Sequence, residues 1–565
     1  LTPVQPSQPF HQPLQRRARS DPEAVALVIV EEDGRHRVVT AGDLHRSARA
    51  GARALARHGV ERGDLVILVM RHSLELIQAF LATSYRGAIP SIFSFLTPKL
   101  DPETWRRGVR RQVTDTGARA IVTSTELGAD LRHLPAGGRC RVLDIASLFA
   151  DAESSPAGGA TAPEIESEGG ERAAFIQFSS GTTGRQKGVT ISHRAVLNNI
   201  RARRRVFDLR PDDVVVSWLP LYHDMGLISG LILPLVTGIR SILFSPFDWV
   251  RQPGRLFRLI HEYRGTLCWM PNFALNHSLR SVRGRDLEGV DLSCWRLLIN
   301  GSEPVRQDSM RRFVDRFAAF GFTAEAMVAG YGLAENTVGV SASAPDRPPT
   351  VDWIDLHLLQ HFDRAVPKSP AEKGATPIVG CGPAYPGTDV CIVDTAGGRL
   401  EERHIGEILI RGDSLFSGYY RQPELTASSF TDGWFHTGDL GYLVAGELHI
   451  CGRTKDLMIV GGRNIHPQDV EAIANDIDGL RPGRSVAFSL PDDRLGSEAI
   501  VVVCEPRKPL AGAARDDLER RLRQALVRQL DIVPRTVALV DSGWVVKTPS
   551  GKLARTANRE KWLRS

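Results

Sequence analysis

No stretch of this chain of 565 residues is apolar for long enough to cross a bilayer. The most hydrophobic run, 225–236, is broken by Gly226, Ser229, Gly230 and Pro234, whereas a spanning helix needs roughly 20 apolar residues. Charge of one sign is not in excess either: 71 Lys and Arg against 65 Asp and Glu leave +6, small for this length. The one basic cluster, Arg201, Arg203, Arg204 and Arg205, has no aromatics interleaved and reads as the solvated face of a helix. With no zinc-finger or RNP pattern anywhere, a nucleic-acid partner is not expected. Cysteine is scarce, with seven scattered positions and no C-x-x-C pair. That usage fits free thiols in a reducing compartment, and the expected location is cytoplasmic. The start lacks a charged-then-apolar signal segment and an initiating Met, as in a chain cut from a longer polypeptide. Internal repeats are absent, and so is the Gly-Lys-Ser/Thr ending of a Walker A loop.

What is present is the material for a large core. The hydrophobic fraction is 42% and the charged fraction 24%, ordinary for a globular protein. At roughly 150 residues per domain the length predicts three or four structural units. The first part alternates strand and helix. The run 65–70 reads as a buried parallel strand. Ser73 caps a helix with Leu76, Phe80 and Leu81 on one face, and 120–123 is a further strand. This is the βαβ pattern of a parallel sheet. The segment 151–170, rich in Ala, Gly, Glu, Pro and Ser, reads as a loop. The last hundred residues predict a small α+β unit. Its helices are 467–477 and one carrying Leu518, Leu522, Leu526 and Leu530; its strands are 486–490, 499–504 and 537–540. The boundary falls at 452–457, which divides the chain into 1–453 and 456–565. The fold class expected is therefore α/β: a large N-terminal region of several subdomains with βαβ units, plus a small, mobile α+β C-terminal domain.

Chemistry concentrates in six segments. The strand 173–178 runs into Ser179-Ser180-Gly181-Thr182-Thr183-Gly184-Arg185-Gln186-Lys187-Gly188. Its glycines allow backbone N–H groups to approach an anion, its hydroxyls add donors and Lys187 adds a charge. A polyphosphate suits that loop; so, on these residues alone, does no ligand at all. Then come Asn300-Gly301-Ser302-Glu303-Pro304, Tyr331-Gly332-Leu333-Ala334-Glu335, the loop 434–441 ending in Thr437-Gly438-Asp439-Leu440-Gly441, Gly452-Arg453-Thr454-Lys455-Asp456, and Lys547-Thr548-Pro549-Ser550-Gly551-Lys552.

Taken in that order, these segments resemble the motifs of the adenylate-forming enzymes: acyl-CoA synthetases, luciferases and the adenylation domains of non-ribosomal peptide synthetases. The resemblance covers nearly the whole chain. It implies activation of a carboxylic acid by ATP to an acyl adenylate with release of pyrophosphate, assisted by Mg²⁺. Carboxylate and α-phosphate both carry negative charge, so compensating cations dominate the chemistry. By resemblance Lys552 is the adenylation lysine and Glu335 the Mg²⁺ carboxylate, with Thr183 assisting on the phosphate side. Thr182, Gly184 and Lys187 belong to the phosphate loop, although Gln186 stands where many relatives carry Pro. Tyr331 and Gly332 face adenine together with Ser302 and Glu303. Asp439 holds the ribose with support from Arg453, and Lys455 is the hinge about which the small domain rotates.

Two features resemble the fatty acyl-AMP ligase branch. One is Trp218-Leu219-Pro220-Leu221-Tyr222-His223-Asp224-Met225-Gly226-Leu227-Ile228, with His223 at the acyl-site position and Met225, Leu227 and Ile228 as an apolar wall for an alkyl chain. Pro271-Asn272-Phe273-Ala274 and Ser94-Phe95-Leu96-Thr97-Pro98 accompany it. The other is extra length between Glu335 and Gly380, which falls in 351–374. That branch carries an insert there which hinders the CoA-using pose. Trp353, Ile354, Leu356, Leu358, Leu359 and Phe362 give the insert apolar contacts to make. Against this, Gly461-Gly462 resembles the glycine pair of CoA-forming relatives and leaves room for a pantetheine arm, whether of CoA or of a carrier protein. The expected function is formation of a fatty acyl-AMP and its transfer to the phosphopantetheine thiol of an acyl carrier protein. The alternatives are a CoA ligase and a catalytically silent adenylate-binding protein.

Overall fold

Val25–Val30, Arg240–Phe244, Val214–Ser217, Leu267–Met270, Leu297–Asn300 and Met327–Tyr331 line up as neighbouring parallel strands. Nearly every residue in them is buried, as sheets covered on both faces require. His36–Thr40 and Ser341–Ala342 close the two edges antiparallel, giving eight strands. The computed structural model describes residues 1, 4–96, 102–131, 140–153, 169–178, 187–460, 463–492, 497–530, 532–548 and 551–565. A second parallel sheet runs in the order Ile89–Phe93, Leu65–Val69, Ala120–Thr123, Arg141–Asp144. The Ser73 hydroxyl accepts the Leu76 N–H at 3.3 Å and starts the helix Leu74–Arg86, which stops at Gly87 with φ +75°. Both sheets follow the βαβ reading. The expected loop 151–170 lies mostly outside the described residues, and its start belongs to the helix Ile145–Glu153.

A third, antiparallel unit carries the strands Thr388–Val393, Gly406–Gly412, Trp434–Val444 and Glu447–Arg453. After the single turn Thr454–Asp456 the chain builds a separate core. Leu480–Asp492, Ser497–Pro506 and Thr536–Leu539 form its sheet. Pro467–Asp476 and Gly512–Leu530 pack on it, burying Val470, Leu518, Leu522, Leu526 and Leu530. The molecule is therefore a large multi-sheet α/β region followed by a smaller α+β domain.

Two details depart from expectation, Phe362 in an insert that is otherwise packed as expected and Arg203 in the arginine cluster. The insert 351–374 is ordered: Val351–Asp355 pairs with Ala375–Val379, and Leu356–Phe362 is helical. Ile354 and Leu359 are buried with Ile405, Tyr442 and Cys451, but Phe362 points outward and is 62% exposed. The arginine cluster is not uniformly solvated. Arg201 and Arg205 are exposed on the helix His193–Val206, whereas Arg203 is buried at 2% exposure.

Candidate active site

The C-terminal ends of the parallel strands converge on one cleft, the usual ligand position in open α/β sheets. Leu297–Asn300 ends in Gly301, where a Cβ would stand 2.7 Å from the Gly330 carbonyl oxygen of the next strand. Ser302 follows in the left-handed region at φ +70°. Met327–Tyr331 ends in Gly332, where a Cβ would stand 1.7 Å from the Val338 carbonyl oxygen. No larger residue fits in this turn between Tyr331 and Glu335.

The segment 434–441, expected as a loop, is instead part of the strand Trp434–Val444, because it pairs with Gly406–Gly412 and Glu447–Arg453; Asp439 in it stands directly opposite Arg453 in register. It is 4% exposed and accepts the Arg453 Nε–H at 2.8 Å on one oxygen and the Tyr331 hydroxyl at 2.6 Å on the other. Each carboxylate oxygen keeps a lone pair for a further donor. Burial, with Asp439 next to it, drives the Tyr331 phenol well above its ordinary value. Asp439, outweighing burial, raises the Arg453 guanidinium further.

Glu335 accepts the Tyr419 hydroxyl at 2.9 Å, and the Lys187 ammonium sits 4.7 Å over the same tyrosine ring. Burial raises the Glu335 carboxyl, against the pull of Tyr419, Lys187 and Arg453. Tyr419 escaped sequence reading. It reaches the cleft because Gly418–Tyr419 pairs with Gly188–Ser192, a contact distant in sequence. Thr182, Thr183 and Gly184 lie outside the described residues, as do Thr97, Pro98, Gly461 and Gly462. Among the described residues no group of three or more His, Cys, Asp or Glu forms a metal cage. A single carboxylate beside a lysine fits a divalent ion held chiefly by nucleotide phosphates.

On the other side of the cleft, Asp224 caps the π-helix Met225–Ile232 through the Met225 N–H at 2.6 Å and lies 2.6 Å from His223 Nδ1. Burial opposes its charge, yet His223 and Lys552 hold the Asp224 carboxyl below its ordinary value. Glu303 accepts the Phe273 backbone N–H, which pins its loop to the helix Asn272–Ser281. Burial raises the Glu303 carboxyl, with Lys552, Lys547 and Arg306 pulling the other way. Lys552 arrives from the small domain on a tight turn. Its backbone N–H donates to Thr548 Oγ1 at 3.1 Å, and its carbonyl accepts the Thr548 N–H at 2.8 Å. Burial lowers its ammonium, while Asp224, Glu303 and Asp439 favour the charge. Carboxylates from three separate segments therefore act on the charge of one lysine.

Lys455 sits in the Thr454–Asp456 turn between the domains. Burial lowers it, and Arg453 and Lys187 push the same way. The two domains are tied by Arg306 to Asp469 at 3.1 Å and to the Gln468 carbonyl at 3.0 Å. The insert adds Arg463 Nη2 to Gln360 Oε1 at 2.7 Å and Asn464 Nδ2 to Asp363 Oδ1 at 2.9 Å. Leu356 packs against the small domain's core.

The AMP-binding enzyme family matches residues 14–420. JamA of Moorena producens, a medium-chain-fatty-acid–[acyl-carrier-protein] ligase, is 32% identical over 92% of this chain and 89% of its own. A 4-hydroxyphenylalkanoate adenylyltransferase of Mycobacterium tuberculosis is 31% identical over 97% of this chain and 91% of its own. A solved structure from work on the fatty acyl-adenylate ligases of E. coli and L. pneumophila superimposes with TM-score 0.91 at 28% identity, covering 100% of this chain and 99% of that one. No helix among the described residues is long and apolar enough to cross a membrane.

Proposed function

Because the chain belongs to the AMP-binding enzyme family and is an adenylate-forming ligase, we propose that it converts a fatty or related carboxylic acid and ATP to acyl-AMP and pyrophosphate, then hands the acyl group to the phosphopantetheine thiol of an acyl carrier protein in the cytoplasm. In the first step a carboxylate oxygen bonds to the α-phosphorus, and the bond from that phosphorus to the bridging oxygen of the leaving pyrophosphate breaks. In the second the thiolate sulfur bonds to the acyl carbon and AMP leaves.

The observation that carries this reading is the convergence of Lys552 on the cleft between His223–Asp224, Glu303 and the Tyr331–Asp439–Arg453 triad. A fixed ammonium there neutralises charge as carboxylate and phosphate approach, and is worth most in a water-poor site. Asp439, oriented by Arg453, receives the ribose hydroxyls. Tyr331 and Gly332, with Ser302 and Glu303, flank adenine, and His223 faces the acid. Glu335, with Thr183, would hold Mg²⁺, which supplies charge neutralisation on the phosphates when bound. Lys187 and the loop residues Thr182 and Gly184 take the phosphate side. Lys455 serves as the hinge between domains 1–453 and 456–565.

Contacts of the insert with the small domain favour a carrier protein over free CoA as acceptor. They hold the pose in which Lys552 faces the cleft, and a carrier protein brings a surface of its own to offset them. The test is acid-dependent pyrophosphate release with fatty acids, followed by acceptor assays with a holo carrier protein and with CoA. The reading predicts acyl-AMP formation, efficient carrier loading and little acyl-CoA. Rapid acyl-CoA synthesis would make the protein a CoA ligase, and no pyrophosphate release with any acid would make it a silent binder.

A further inference from the structure

The helix His193–Val206 turns Val196, Asn199, Ile200 and Arg203 inward. Arg203 is the anomaly of that face. Its guanidinium donates from Nη2 to Ser229 Oγ at 2.8 Å and lies 4.8 Å over the Trp269 ring and 5.9 Å from the Phe207 ring. Its Nη1 is buried and has no hydrogen-bond partner. Among the described residues no carboxylate pairs with it; Arg296, by contrast, meets Asp213 at 2.7 Å, and Arg555 meets Glu471 and Asp456. Burial lowers this guanidinium to about 10, which still leaves it charged at neutral pH. Removing a charge from water costs several kcal/mol unless something compensates it, and two aromatic faces and one hydroxyl compensate only in part.

Its position gives the charge a use. Ser229 belongs to the π-helix Met225–Ile232, which begins directly after His223 and Asp224; π-helical turns are rare and concentrate at functional sites. Trp269 belongs to the strand Leu267–Met270, whose continuation supplies Asn272 and the Phe273 N–H held by Glu303. The free donor therefore stands between the two elements that frame the acid side of the cleft. The hydrogen-bond partner of Arg203, Ser229, stands six residues after His223 in the chain.

We propose that Arg203 is a specificity determinant: it receives an oxygen acceptor, a carboxylate foremost and a hydroxyl or ketone next, carried on the chain of the acid being activated. The preferred substrates are then acids that carry such an oxygen on the chain rather than plain alkanoic acids. This rests on the acid-activating reading above.

The full chain is assayed for acid-dependent pyrophosphate release with matched sets of six, eight and ten carbons: the alkanoic acid, its ω-hydroxy acid and the α,ω-dicarboxylic acid. The expected result is a kcat/KM at least 10-fold higher for an oxygenated member at one or more lengths. Losing a charged hydrogen bond corresponds to about a 10- to 100-fold fall, so Arg203→Met collapses that ratio toward one. Arg203→Lys, which keeps a cation, retains part of it. Plain acids used as well as or better than their oxygenated partners at every length overturn the proposal and leave the adenylation reading standing. So does a preference that survives in Arg203→Met. Should the substitution prevent folding, the ratio measured on the unaltered chain decides alone. Absence of pyrophosphate release with every acid overturns both readings.

Discussion

Cutting the ties between insert and small domain while leaving the cleft intact tests what the insert does. The double substitution Gln360→Ala and Asp363→Ala removes the acceptors of Arg463 Nη2 and Asn464 Nδ2. Arg463 keeps the Leu530 carbonyl at 2.7 Å, so the guanidinium is not stranded. The Gln360 bond is partly buried and contributes about 1–1.5 kcal/mol. The Asp363 bond is exposed and contributes about 0.5 kcal/mol. A loss near 1.5–2 kcal/mol raises the population of the rotated pose roughly 10- to 30-fold. The adenylating pose remains dominant if it starts several kcal/mol ahead, so pyrophosphate release changes less than twofold. The assay follows acyl-AMP and acyl-CoA separately with CoA in excess. An acyl-CoA rate that rises in the double variant by that factor bears out the reasoning. An unchanged acyl-CoA rate, in a variant that folds and adenylates normally, refutes the idea that these contacts bias the pose.

Lys552→Ala should slow acyl-AMP formation by roughly 10²–10³-fold, with much smaller changes in acid and ATP affinity, as measured by single-turnover kinetics. Asp439→Ala should weaken nucleotide binding by about 1.5–3 kcal/mol in calorimetry, and Glu335→Gln should raise the Mg²⁺ concentration needed for half-maximal turnover. Gly332→Ala drives a methyl group into the Val338 carbonyl, and should cost about 1–3 kcal/mol of stability along with most of the activity. Burial holds the His72 and His193 imidazoles down to about 4. The unfolded chain therefore binds more protons than the folded one between pH 6.5 and 4. Stability is full above pH 6.5 and falls by up to roughly 3 kcal/mol per histidine as pH drops to 4, which denaturant titrations across that range will show.

Local pattern was enough for the parallel strands, the Ser73 cap and the small domain's leucine helix, because each is decided by periodicity within a dozen residues. Lys552, Asp439, Glu335, Tyr331 and His223 stand in short motifs legible in the sequence, and the fold bonds Tyr331 to Asp439 and sets His223 against Asp224. Pairings between distant segments could not be read. Tyr419 meets Glu335 across 84 positions, and Arg306 meets Asp469 across 163. Nothing in either local sequence encodes such a meeting. Arg203 is a different kind of miss. Its spacing of seven, four and three from Val196, Asn199 and Ile200 marks the inward face of the helix, a signal masked by three more arginines in the same run.

The strand Glu447–Arg453 and the turn after it also dictate where the protein can be recombined. Arg453 belongs with Asp439 and the large region, while Asp456 meets Arg555, which also holds Glu471 in the small domain. A graft that exchanges small domains between relatives keeps both groups whole only if the joint falls between Arg453 and Asp456. Even there it parts Arg306 from Asp469 and Gln360 from Arg463. A donor domain must therefore bring an acid at the first position and a long donor side chain at the second. Swaps that ignore those two positions will yield chains that fold in both halves and fail to register one against the other.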